Sequence, residues 1–363
     1  MYKRQRFDKA NQELVDTQQE ALLLFASMTP IMNIIMNVAV VAIIYVGGIQ
    51  VRSGNVTPGN VMAAITYSSQ ILNSILMMTN IFQNLNRGFT SANRLAEVME
   101  TVPAICDGPG AQMEEPGKVE FRNVTFGYPE LGETVLHDIN LVIMPGETIG
   151  IMGTTGCGKS SLVNLIPRFY DVTEGEVLVG GHDVKAYTLE QLRSHVSIAL
   201  QKSELLRGTI GENIAMGSSE AEEAELLAAA DIAQATEFIR NKTGGMNAPV
   251  AERGSSLSGG QKQRIAISGA VLKNADILIF DDSTSALDLK TEAKLYEALR
   301  KSAPNVTKII IAQRIASVKG ADRIAVLDGG TIIACAPHEE LMRTCPTYLD
   351  IYNSQLKGSE QYG

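Results

Sequence analysis

The sequence predicts a fold in two parts, an α-helical transmembrane hairpin followed by an α/β domain. Two charge-free stretches with a turn between them carry the first part. The second rests on a glycine-rich loop set between an apolar strand and a helix, with a carboxylate-ended strand about 120 residues farther on. At 363 residues the chain exceeds one ordinary globular domain, so more than one unit is expected.

Charged side chains are absent between Glu20 and Arg52, and again between Arg52 and Arg87. Each gap exceeds the roughly 20 residues that cross a bilayer as a helix. The expected spans are residues 21–51 and 59–86, within a partial membrane unit over 1–100. Between them Gly54 and Asn55 read as a turn, and Thr57 as an N-cap ahead of Pro58 at the first helical position. Lys3, Arg4, Arg6 and Lys9 precede the first span, Arg87 and Arg94 follow the second, and the turn holds only Arg52. By the positive-inside tendency both ends of this unit face the cytoplasm. A buried hairpin in a large soluble protein is the competing reading, and two charge-free runs of this length count against it.

On the second span Thr66, Gln70, Asn73, Met77, Asn80 and Asn84 alternate at spacings of four and three, so they share one helix face. Polar groups are costly in hydrocarbon, so that face should meet other helices or water. The wall of a translocation pathway and ordinary interhelical hydrogen bonding both fit.

Residues 101–117 are rich in Pro, Gly and acidic side chains and read as a linker. From 118 to 352 short β-rich runs alternate with helical stretches, and 353–363 read as a polar, frayed tail. The net charge of −9 argues against a nucleic-acid partner, which calls for a basic face. Cys106, Cys157, Cys335 and Cys345 are dispersed, without a CxxC pair or a His cluster, so neither a zinc site nor a disulfide framework is expected. His137, His182, His195 and His338 show no metal-ligand spacing and read as structural. The charged start lacks the apolar core of a secretory signal.

Gly153, Thr154, Thr155, Gly156, Cys157, Gly158, Lys159 and Ser160 match the G-x-x-x-x-G-K-[ST] phosphate loop in full. An apolar strand leads in, and a helix starting around Ser161 leads out. Glycines let successive backbone N–H groups turn inward around a β-phosphate. Lys159 should reach the β- and γ-phosphates, and the Ser160 hydroxyl should ligate Mg2+. Asp281 ends an apolar strand, where α/β sheets hold ligands, and is placed to orient Mg2+ through water. Cys157 reads either as a thiol activated by the loop or as a small residue used through its backbone; the second is favoured. Leu257, Ser258, Gly259, Gly260 and Gln261 open a further helix, with Ser258 as its cap and glycines that permit close approach of an anion.

That Leu-Ser-Gly-Gly-Gln run resembles the signature of the ATP-binding-cassette (ABC) family, and other landmarks of the family follow in order. Tyr128 resembles the aromatic on which adenine stacks, and Gln201 the glutamine that senses Mg2+ and the membrane domain. Val250 to Gly254 is similar to the exporter-type loop before the signature, and Ser285 to Asp288 to the loop that crosses to a partner domain. The hairpin is similar to the fifth and sixth membrane helices of exporters. The resemblance implies a phosphate-loop core with an antiparallel β subdomain and a helical subdomain, and ATP and Mg2+ as cofactors. It also implies three kinds of partner: a second exporter subunit, membrane lipid and a transported substrate. Two cassettes then close head to tail, so that 257–261 complete the partner's ATP site in trans. Helices one to four are not in this sequence, so a fragment of a longer protein or a mis-started reading frame is expected.

Two positions depart from the family. It places Glu after the Asp of the second motif, as the base that activates water; here that residue is Asp282. Its switch histidine is here Gln313. An aspartate carboxylate falls short of a glutamate one by roughly 1.5 Å, and glutamine cannot exchange the proton an imidazole can. Together they resemble the degenerate half of a heterodimeric, multidrug-type exporter, an ATPase of low activity at its own site. A regulatory subunit that holds ATP without productive hydrolysis is the alternative. A soluble cassette ATPase of the DNA-repair or translation kind is a third reading, disfavoured by the hairpin and the acidic balance. The Met-containing spans would suit amphipathic or lipophilic cargo, although Met is equally ordinary packing.

Overall fold

The computed structural model describes the backbone of residues 2–129 and 132–361. The side chains of Lys3, Arg4, Arg6 and Asn80, used above, lie outside the described residues. The chain forms two compact units, Met1–Val102 and Pro103–Gly363.

The first unit is a pair of helices, α1 (Tyr2–Arg52) and α2 (Pro58–Glu100), of 51 and 43 residues. At 1.5 Å per residue these run to about 77 and 65 Å, more than twice the roughly 30 Å of bilayer hydrocarbon. Among the described residues α1 alone is long and apolar enough to count as a candidate span. In α2 the polar side chains Thr66, Gln70, Asn73 and Asn84 are interspersed among apolar ones. Pro58 starts α2, and Thr57 before it is extended but makes no side-chain cap. The turn is closed instead by Asn55, whose Nδ2 donates to Gln50 Oε1 and Ser53 Oγ, both at 3.1 Å, while Gly54 takes φ +77. Next to that turn a Cβ on Gly47 would sit 2.8 Å from Val61 Cγ2, so the absence of a side chain lets the helices close up.

The second unit begins β1 (Val119–Gly127), β2 (Thr134–Ile143), β3 (Thr148–Gly153), α3 (Lys159–Asn164), β4 (Glu174–Val179), β5 (His182–Asp183), α4 (Leu189–Ser194) and β6 (Val196–Ala199). A mostly helical stretch follows, with β7 (Gly208–Thr209), α5 (Ile210–Ala215), α6 (Glu223–Ile232), α7 (Thr236–Arg240), β8 (Pro249–Val250) and α8 (Gly259–Leu272). The chain returns through β9 (Ile277–Asp281), α9 (Leu289–Ser302), β10 (Thr307–Ile311), α10 (Ile315–Val318), β11 (Arg323–Asp328), β12 (Thr331–Ala336), α11 (His338–Thr344) and α12 (Pro346–Gln361).

Of the two larger sheets one has the order β2-β1-β4-β5 and is antiparallel; the other runs β12-β11-β3-β10-β9-β6. In the latter β11, β3, β10, β9 and β6 are parallel and β12 is an antiparallel edge. Every residue of β9 and β10 is buried, as strands covered on both faces require. Asp281 lies in register with Ile311, so the loops leaving β9 and β10 emerge side by side, with the loop leaving β3 next to them. This common edge creates the site.

Three cores hold the unit together. One lies between the two sheets, around Phe121, Phe126, Ile149 and Ile279, and a second covers the other face of the parallel sheet, around Phe280, Leu295 and Tyr348. The third belongs to the helical stretch alone, around Ile210, Ile214, Ile239 and Ile265.

Two stretches differ from their sequence reading. Residues 103–117 pack with the second unit: the N–H groups of Gly108 and Gly110 donate to Tyr187 O and Ala186 O, and Asp107 Oδ1 accepts the Leu189 N–H at 2.7 Å. Gly108 permits the approach, since a Cβ there would lie 2.2 Å from Lys185 O. The stretch 353–363 was expected to fray, yet α12 continues through it to Gln361, held by the packed side chains of Tyr348, Ile351 and Tyr352.

Candidate nucleotide site

The loop after β3 is built around left-handed glycines, Gly156 at φ +85 and Gly158 at φ +97. Such a backbone turns consecutive N–H groups toward one centre, the geometry that binds phosphate oxygens. Lys159 Nζ donates to Gly153 O at 2.9 Å and Thr154 O at 2.8 Å, which folds the ammonium back over the loop. Cys157 is buried in the core, as suits a small packed residue, and its Sγ lies 3.8 Å from Lys159 Nζ. Gly153 lies against β11, where a Cβ would meet Leu327 O at 2.1 Å.

Ser160 Oγ donates to Asp281 Oδ1 at 2.9 Å, joining α3 to the end of β9. Burial raises the Asp281 carboxyl above its ordinary range; the Ser160 hydrogen bond opposes that rise and the neighbouring Asp282 adds to it. A hydroxyl beside a carboxylate is a hard oxygen pair, the donor set Mg2+ prefers, so these residues fit that ion. Tyr128 packs edge-on against Phe126 and Tyr170, with ring centroids 4.9 and 5.1 Å away, and its hydroxyl lies 2.9 Å from Ser161 Oγ.

Asp282 sits at φ +48, a left-handed conformation that Asp tolerates better than most side chains. Its Oδ2 accepts from Gln201 Nε2 at 3.1 Å and from Gln313 Nε2 at 2.9 Å. An ionised carboxylate only accepts, so both amides present their NH2 groups. Burial pushes the Asp282 carboxyl up as well, against the lowering by these two amides. Tyr128, Thr155, Gly156, Gly158, Lys159, Ser160, Ser161, Gln201, Asp281, Asp282 and Gln313 line a single cleft of about 370 Å³.

The 257–261 segment is not part of that cleft. Ser258 and Gln261 form a capping box at the start of α8: Ser258 Oγ accepts the Gln261 N–H at 3.3 Å, and Gln261 Oε1 accepts the Ser258 N–H at 3.1 Å. Leu257 is buried, whereas Ser258 and Gly259 are exposed. Gly260 lies close to the 285–288 segment, where a Cβ would sit 3.0 Å from Ala286 O; at Gly259 the nearest atom would be an ordinary 3.5 Å away. The 285–288 segment is held by Gln263, whose Oε1 accepts the Ala286 N–H at 2.9 Å, and by Arg314, which donates to Ser285 O and Leu287 O. Asp288 also caps α9.

The sequence gives no sign of one contact. Gln355, in the supposed tail, bonds to the backbone of Gln313 and Ile315. The helical spacing of Tyr348, Ile351 and Tyr352 was the available signal that this stretch packs.

The ABC transporter family model matches residues 136–285, and that of the ABC transporter transmembrane region matches 2–75. An ATP-dependent lipid A-core flippase of Syntrophus aciditrophicus is 37% identical over 98% of this chain and 59% of its own length. An uncharacterized ABC transporter ATP-binding protein of Mycobacterium tuberculosis is 38% identical over 98% of this chain and 62% of its own. The solved structure of a bacterial Atm1-family ABC exporter with ATP bound superimposes with a TM-score of 0.83 at 33% identity, covering 94% of this chain and 60% of that one. This chain therefore spans about three-fifths of the length of these relatives. With both regions matched in order along one polypeptide, the chain belongs to the ABC transporter family, as a membrane protein with a cytoplasmic nucleotide-binding domain.

Proposed function

We propose that the chain is part of an ABC exporter subunit whose own nucleotide site binds Mg·ATP but hydrolyses it slowly. In this reading Tyr128 stacks on adenine, and the 153–161 segment holds the phosphates. Ser160, Asp281 and Gln201 surround Mg2+. Leu257, Ser258, Gly259, Gly260 and Gln261 face the ATP of a second, hydrolytically competent subunit in a heterodimer. The cargo class we favour is amphipathic or lipid-like, following the lipid A-core flippase relative and the apolar helices.

The observation that carries the slow-site reading is the double engagement of Asp282 Oδ2 by Gln201 and Gln313. A general base must come within about 2.6–3.2 Å of the proton it takes. Asp282 has a shorter reach than Glu, its oxygen already accepts two bonds, and no imidazole stands at position 313 to share the proton. The same lock favours a second reading, a regulatory subunit that keeps ATP bound as glue; phosphate release with and without the competent partner separates the two.

The test is steady-state ATPase on matched heterodimers of the full subunit. Gly259→Glu should remove most turnover, because it places charge and bulk where the partner's transferred phosphoryl group is stabilised. A Cβ at Gly259 meets nothing closer than an ordinary contact, so the change probes the docking face and not the fold. Asp282→Asn keeps the left-handed backbone, removes the carboxylate and should change turnover far less. Equal losses from both would mean that both sites hydrolyse.

A further inference from the structure

Behind the nucleotide cleft, helix α12 presents one polar side chain to the segment that leaves β10. Gln355 Nε2 donates to Gln313 O at 2.7 Å, and Gln355 Oε1 accepts the Ile315 N–H at 2.9 Å. A carbonyl can only accept and an N–H only donate, so the amide has one orientation that satisfies both. Ile315 opens α10, a helix of four residues, too short to stabilise itself and with its first N–H groups lacking partners inside the helix. The side chains of this segment reach two other places. Gln313 Nε2 donates to Asp282 Oδ2 at 2.9 Å, and Arg314 donates to Leu287 O at 3.0 Å and Ser285 O at 3.1 Å. Residues 313–315 thus link the nucleotide cleft to the 285–288 loop, and Gln355 holds their backbone.

Helix α12 is a firm base for such a contact. Tyr348 is fully buried, and its hydroxyl lies 2.8 Å from His338 Nδ1 of α11. From this arrangement we infer that Gln355 is a positioning residue: it fixes residues 313–315 so that Gln313 stays on Asp282, and the C-terminal helix thereby sets nucleotide affinity. This rests on the nucleotide site proposed above. Without Gln355 the Gln313 carbonyl and the Ile315 N–H lose their partners and the short segment loosens. Asp282 then loses one of two donors, and its negative charge stands less compensated beside the phosphate-binding loop, which disfavours an anion.

The experiment combines amide hydrogen exchange with equilibrium binding of Mg·ATP, on the full chain in detergent. The variants are Gln355→Met, which keeps bulk and length; Gln355→Glu, which keeps the acceptor for Ile315 but sets an oxygen against Gln313 O; and Gln313→Ala. Lys159→Ala serves as the reference for the site itself. Gln355→Met should speed exchange in residues 312–317 about tenfold and weaken Mg·ATP about two- to fivefold. Gln355→Glu should weaken it similarly while protecting Ile315 better than Gln355→Met does. In the Gln313→Ala background neither Gln355 change should weaken binding further. Additive losses, or unchanged exchange in 312–317 with a lowered melting temperature, would overturn the inference and leave Gln355 a packing residue of α12. Unchanged binding in Lys159→Ala would instead overturn the nucleotide site itself.

Discussion

At the loop end of the cleft, polar side chains are held by partners that a nucleotide can replace. Lys159 rests on two loop carbonyls, and Ser160 on the Asp281 carboxylate. At the far end the partners are neutral amides, and two of them converge on one oxygen of Asp282. A cation held by carbonyls exchanges them for phosphate oxygens with a gain in charge pairing. A carboxylate held by amides weakens both hydrogen bonds when it takes up a proton, a cost that opposes the burial favouring its neutral form. One cleft thus combines strong determinants of binding with weak determinants of hydrolysis, and each can be altered separately.

The largest effect should come from repairing the weak end. Asp282→Glu with Gln313→His restores the reach of the base and a group that exchanges protons. Single-turnover hydrolysis at this site should rise on the order of 10²-fold, the lower end of what acid–base assistance supplies. The left-handed backbone at position 282 disfavours Glu in either variant, so the further gain of the pair over Asp282→Glu alone comes from the proton-exchanging group that Gln313→His supplies. Unchanged turnover in the pair would show that something other than these two residues limits hydrolysis.

Damage to the strong end comes next. Lys159→Ala removes a charge-assisted contact of about 1.5–3 kcal/mol, so Mg·ATP should bind about ten- to a hundredfold more weakly. Isothermal titration with Lys159→Ala and Gln313→Ala compares the two ends directly, and a larger loss from Gln313→Ala would invert the comparison. Tyr128→Phe is milder. It removes the hydrogen bond to Ser161 and leaves the ring packed on Phe126 and Tyr170, so affinity should fall by no more than about tenfold.

The sequence was legible wherever function needs a local backbone pattern. The glycines of residues 153–158 dictate the loop whatever surrounds it, and Ser258 with Gln261 specifies a helix start within four residues. The apolar run of β9 betrays a strand buried on both faces. Contacts between segments far apart in the chain were not legible. Gln201 could be named as a match to a family pattern and Asp282 and Gln313 as departures from it, but their convergence on one oxygen depends on strand order, which no local signal encodes. The φ of Asp282 was equally hidden, since left-handed Asp is set by the loop around it. Gln355 was lost for another reason: a polar stretch near a terminus resembles disorder until the apolar residues before it find a partner.

The smallest effect tests whether the weak end depends on the C-terminal helices. His338 is buried on α11, and its Nδ1 lies 2.8 Å from the Tyr348 hydroxyl of α12. Burial lowers its pKa below the ordinary 6.5; Lys319 lowers it further, and Glu339 opposes both. As the pH falls through about 6.5 the unfolded chain takes up a proton that the folded chain resists, so the stability contributed by neutral His338 is present above that pH and is lost below it. His338→Gln removes the titration. The wild type should therefore melt above His338→Gln at pH 7.5, and the gap should narrow at pH 5.5. Loosening α12 in acid should also raise exchange in residues 313–317, after correction for intrinsic rates, and leave the 154–160 loop unchanged. A gap in melting temperature that stays constant across this range would show that His338 does not titrate with folding. Equal acid sensitivity of the two segments would remove the link between α12 and the hydrolytic end of the cleft.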